Sequence, residues 1–79
     1  MKYIVVKENN AHDFAIVFDE TLTHKDIAQV HRASRLSVQS AGFCSIGEFG
    51  VTAWGRSDSL NIKGRPEDVK IIENMLKTH

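Results

Sequence analysis

Apolar and polar positions along the chain follow two periods, and their order predicts the elements. Lys2 to Lys7 (KYIVVK) and Phe14 to Phe18 (FAIVF) are rich in β-branched and aromatic residues and predict two strands. The polar stretch from Glu8 to Asp13 between them is too short for a parallel return, so the pair is expected to be an antiparallel hairpin. Ile27, Val30, His31 and Ser34 recur at helical spacing behind Thr23-His24-Lys25-Asp26, a capping box with Asp in place of Glu. A helix is expected from about His24 to Ala33. From Leu36 to about Cys44 the period returns to two, and Gly47 to Gly50 turns the chain into a strand over Val51 to Trp54. Gly55 to Asp58 turns it again, and Ser59 to Lys63 alternates as a short strand. Pro66 suits a first helical position, and Glu67 and Asp68 complement a helix N-terminus. Val69, Ile72 and Leu76, with Ile71 and Met75, make one broad apolar face, so a second helix is expected from Pro66 to Lys77. The order β-β-α-β-β-β-α predicts a two-layer α+β domain with a mainly antiparallel sheet and two helices.

The faces of these strands change the picture. Ile4 and Val6 oppose Tyr3 and Val5; Phe14, Ile16 and Phe18 oppose Ala15 and Val17; Val51 and Ala53 oppose Thr52 and Trp54. Both broad sides of the sheet therefore call for cover. Two arrangements are open. If both helices pack on one side, the other keeps an apolar patch, and a homodimer forms through that face or through an exposed edge strand. If the helices sit on opposite sides, or the sheet curls, the chain covers itself. Under the first arrangement the interface set is Tyr3, Val5, Val17, Thr52 and Trp54, and the core is Phe14, Ile16, Phe18, Leu60, Ile62, Ile72 and Leu76; the two faces are interchangeable in this assignment.

Composition narrows the class. Seventy-nine residues make one domain, spanning 1–79, with a thin core. Ten Lys and Arg balance ten Asp and Glu, which argues against indiscriminate binding to DNA, and 42% apolar residues argue against disorder. No apolar run approaches the roughly 20 residues of a membrane helix, so no membrane partner is expected. Cys44, the single cysteine, has no internal disulfide partner and fits a reducing cytoplasm.

Candidate chemistry is sparse. Cys44 reads as a small buried apolar residue at a strand end rather than a nucleophile. His24 and His31 lie two helical turns apart, too far for one metal ion, so neither a metal site nor a cofactor is expected. His24 is expected in solvent at the helix start and His31 at the core edge. Asp13, Asp19 and Asp26 suit turns and caps. Arg56, Lys63 and Arg65, with Gly64 and a helix N-terminus, are candidates for an anion site, against which Glu67 and Asp68 compete. Those three cations around Trp54 support an alternative function as a nucleic-acid-binding accessory protein.

Ser40-Ala41-Gly42-Phe43, Gly50 to Gly55, Ser57 to Ile62 and Lys63-Gly64-Arg65-Pro66-Glu67-Asp68 together resemble a pattern in small, uncharacterised bacteriophage and prophage-encoded proteins. The resemblance covers the second half of the chain. It departs at Gly64, where the pattern has a serine. It implies a phage or prophage origin in a bacterial cytoplasm and carries over no catalytic residue. The function expected is that of a non-enzymatic protein acting by contact, as a homodimer or with a host or viral protein.

Overall fold

The computed structural model describes residues 1–8, 12–32 and 36–77. The α+β order is as expected: β1 (Lys2–Glu8), β2 (Asp13–Phe18), α1 (His24–Arg32), β3 (Leu36–Gly47), β4 (Gly50–Trp54), β5 (Arg56–Ser57), β6 (Ile62–Lys63) and α2 (Asp68–Lys77). Strands β2-β1-β3-β4 form one antiparallel sheet in that order, and β5 and β6 form a second, two-stranded one. A bulge between Val5 and Val6 shifts the β1–β3 register.

Local chemistry explains the element ends. The Asp26 N–H donates to Thr23 Oγ1 at 3.0 Å and the Thr23 N–H to Asp26 Oδ2 at 3.4 Å, so the expected capping box closes reciprocally with Asp. Asp19 makes the turn after β2 by accepting the Thr21 N–H at 2.8 Å. Asp13 departs from the turn role: it pairs with Lys7 and Arg65 instead. The predicted strand from Ser59 is replaced by a turn over residues 58–61, because Ser57 Oγ accepts the Leu60 N–H at 3.2 Å and Asn61 takes a left-handed φ of 56°. The predicted helix end at Ala33, and the side chain of His31, lie outside the described residues.

The helices lie on opposite faces of the sheet, so the second of the two open arrangements holds. Tyr3, Val5, Ala15 and Cys44 pack with Ile72 of α2, ringed by Val17, Val51, Ala53, Ile71 and Met75. On the other side Ile4, Val6, Phe18 and Ala41 pack with Ile27 of α1 and with Leu60 and Ile62 beside β6. Two expected core residues, Phe14 and Leu76, are instead exposed on the rim.

Gly42 shows how closely β3 and β4 approach. A Cβ there would sit 2.6 Å from the Trp54 carbonyl oxygen, which is backbone and has no rotamer to change. Gly42→Ala is expected to destabilise the fold by about 1–3 kcal/mol. Gly47→Ala, whose Cβ meets only the Gly50 oxygen at 3.9 Å, should be near neutral; urea midpoints of the two variants check this.

Candidate functional site

The most constrained polar group is Asp68, at the start of α2 and fully buried. Tyr3 Oη donates to its Oδ2 at 2.6 Å, and the Arg65 backbone N–H donates to the same oxygen at 2.7 Å. Ser40 Oγ donates to Oδ1 at 2.7 Å and Arg65 Nε at 3.2 Å. Four donors thus meet the roughly four lone-pair sites of a carboxylate. The helix expected from Pro66 begins at Asp68: Pro66 and Glu67 form a turn closed by the Asp68 N–H on the Arg65 carbonyl at 3.1 Å, and the Asp68 side chain accepts the Arg65 N–H back across that turn. Arg65 Nη2 continues to Asp13 Oδ2 at 3.3 Å, and Lys7 Nζ lies 3.6 Å from Asp13 Oδ1. Gly64 lets the chain pass: a Cβ there would lie 2.8 Å from the Tyr3 hydroxyl.

The electrostatics follow from this packing. Burial, reinforced by the hydrogen bond to Asp68 and its charge, holds the Tyr3 phenol well above its ordinary range. Burial works against the Arg65 charge, but the carboxylates of Asp68 and Asp13 outweigh it and hold the guanidinium above its usual value. Burial pushes the Cys44 thiol up, so it stays neutral and enclosed, the opposite of an activated nucleophile.

The proposed sheet-face interface is corrected. Tyr3 and Val5 are fully buried beneath α2, and Val17 rings the same cluster. Thr52 and Trp54 are exposed, but strand alternation puts them on the side opposite Val51 and Ala53. No single face presents the set.

The basic trio does not converge on one anion. Arg65 is already paired with two carboxylates, Arg56 contacts Asp58 and Asn61, and Lys63 lies across from Arg56 in the β5–β6 pair without an ion pair among the described residues. His24, expected in solvent, is buried. Its Nε2–H donates to the Gly42 carbonyl at 2.7 Å, and its ring meets Phe18 and Phe43 edge-on at 5.5 and 5.8 Å. Phe43 in turn stacks on Trp54 at 6.5 Å. No helix among the described residues is long and apolar enough to cross a membrane.

What stays open is an edge. Strand β4 (GVTAW) ends the sheet, contains neither charge nor proline, and adjoins the exposed Ile46, Phe49 and Trp54. Natural edges usually carry charges, prolines or bulges that prevent pairing with another chain. Beside β4 lies a cavity of about 270 Å³ lined by Tyr3, Ala53, Trp54, Gly55, Gly64 and Pro66, among others. Sequence reasoning named Trp54 and Thr52 and gave Asp68 a place at a helix N-terminus, but missed the burial of Asp68 and Ser40 and the full exposure of Phe49. The signals were a serine on an otherwise apolar sheet face, an Asp two residues behind Pro66 at the start of a helix, and a phenylalanine inside a tight turn. No family model matches the chain, and no curated protein or solved structure matches it.

The raised phenol predicts an alkaline limit. The Tyr3 contribution is fully present below the unfolded value of about 10 and is lost as the pH climbs toward the folded value. Cys44 acts in the same direction. Tyr3 is the only tyrosine, so tyrosinate absorbance reports it alone. Absorbance is expected to appear together with loss of the far-UV circular dichroism signal; ionisation near pH 10 in a folded chain would contradict the buried hydrogen bond.

Proposed function

We propose that the chain is a small non-enzymatic contact protein that pairs with a second copy of itself along the outer edge of β4. The observation that carries this reading is an edge strand with no charge to protect it, flanked by exposed apolar side chains, in a chain whose two sheet faces are already covered. The other edge suits self-pairing less. A two-fold arrangement of β2 centred on Ile16 sets Asp13 of one copy against Asp19 of the other. The neutral, enclosed Cys44 supports a non-catalytic role. Phage or prophage origin, and with it a bacterial cytoplasm, rests on the resemblance carried by Ser40 to Asp68.

A lysine on the edge tests the reading. Thr52 is exposed, so Thr52→Lys is expected to leave the urea midpoint within about 0.5 kcal/mol of the parent's stability at a concentration where both are monomers. Sedimentation of the parent should show a mass rising above 8.9 kDa with concentration, while Thr52→Lys stays at that mass. A parent fixed at 8.9 kDa throughout would contradict self-pairing.

A further inference from the structure

A second opening, independent of the β4 edge, lies where β1, α1 and β5 meet. It is a cavity of about 160 Å³ lined by Lys2, His24, Phe43, Arg56 and Asp58, among others. Strand pairing places its wall. Lys2 pairs with Phe18 on one side and Phe43 on the other, and Phe43 pairs with Trp54. Directly opposite residues share a face, so Phe18, Lys2, Phe43 and Trp54 form one row across the sheet. A lysine in such a row keeps its stem on apolar surface and carries its ammonium to the rim, here to the Leu22 carbonyl at 3.0 Å.

The charges around this opening are left unbalanced. Neither Lys2 nor Lys63 has an ion pair among the described residues. Lys63 stands directly opposite Arg56 in the β5–β6 pair, and like charges so placed repel. Asp58, the carboxylate in the cavity wall, is 3.6 Å from Arg56 but almost wholly in solvent, where such a pair contributes little. His24 adds a group of another kind. Its ring is buried and its Nε2–H is spent on the Gly42 carbonyl, whereas its Nδ1 has no hydrogen bond among the described residues and is not sealed from solvent. The cavity is the opening that this ring lines.

A volume of 160 Å³ equals that of about five water molecules, which suits a phosphate group. Lys2 and Arg56 supply donors for charged oxygens, and a guanidinium can meet two of them at once. With Nε2 protonated, the lone pair of Nδ1 calls for a donor instead. A phosphomonoester satisfies both demands, because its second proton titrates at about pH 6. Sulfate at neutral pH has no proton to give. We propose that this cavity binds the phosphate group of a small phosphomonoester, with Lys2 Nζ and the Arg56 guanidinium on its charged oxygens and His24 Nδ1 accepting its proton. The bound group displaces Asp58 from Arg56 and relieves the repulsion between Arg56 and Lys63. Trp54, half-exposed and stacked on Phe43 of the cavity wall, offers a ring on which an attached base can stack.

Calorimetric titration of the full chain at about pH 6.5, where the phosphate monoanion is present, tests the site. Inorganic phosphate and adenosine monophosphate are expected to bind with a Kd of about 1 mM or tighter. A lower Kd for adenosine monophosphate assigns the ligand to nucleotides, and an equal Kd to phosphomonoesters at large. Adenosine should not bind, and sulfate should bind roughly tenfold more weakly than phosphate. Lys2→Gln and Arg56→Gln should each weaken phosphate binding roughly fivefold with the circular dichroism spectrum unchanged. Asp58→Asn removes the competing carboxylate and should strengthen binding roughly threefold, a gain that no loss of folding can mimic. No heat with either phosphate ligand, sulfate binding equal to phosphate, or no gain from Asp58→Asn overturns the proposal. None of these results bears on self-pairing, which sedimentation reads separately.

Discussion

A carboxylate with no access to water holds this domain together. Taking a charge out of solvent costs several kcal/mol unless its lone pairs are met, and Asp68 meets them from four donors on three parts of the chain. Tyr3 brings in the middle of the sheet, Ser40 the bulged stretch of β3, and Arg65 the segment leading into α2. The N-terminus of α2 is thereby fixed over β1 and β3, and Ile72 one turn later is delivered into the apolar cluster. The same bonds place Gly64 against the Tyr3 hydroxyl and shape the wall of the cavity beside β4. Arg65 extends the network to Asp13 at the start of β2, so it spans the sheet towards its far edge.

With α2 pinned to one face, the opposite face falls to α1 and the β5–β6 segment. His24 serves there as Asp68 does on the first face: a buried polar group with its partner in the sheet, here the Gly42 carbonyl. Around it Phe18, Phe43 and Trp54 form a run of ring contacts that reaches solvent at Trp54. A chain this short then has only its perimeter to offer a partner, and there β4 and the turn carrying Phe49 stand out.

Period and local chemistry carried the element order. The helix capped by Thr23 and Asp26, the proline ahead of α2, and the hairpins were all legible because each depends on residues a few positions apart. The covering of the faces was not. Strand alternation says that Tyr3 and Val5 share a side, but it does not say which side a helix will cover, and the placement of Tyr3, Val5 and Val17 in an interface failed on that point. Phe14 and Leu76 look like core residues by type and phase, yet they lie at a strand edge and in the last helical turns, where little of the chain remains to cover them. The Asp68 network joins residues 65 and 28 positions apart, beyond the reach of any local pattern. An acidic residue early in a helix ordinarily faces solvent and the helix dipole, so its burial left no sign in the composition.

A double-mutant cycle on Tyr3 and Asp68 tests the central claim most directly. Tyr3→Phe, Asp68→Asn and the pair would be compared by urea unfolding at neutral pH, at a concentration where the chain is monomeric. A shared buried hydrogen bond predicts that the single changes are not additive and that the coupling energy exceeds about 1 kcal/mol. Additive losses, with coupling near zero, would mean that the phenol and the carboxylate act separately and that the network does not hold α2 to the sheet.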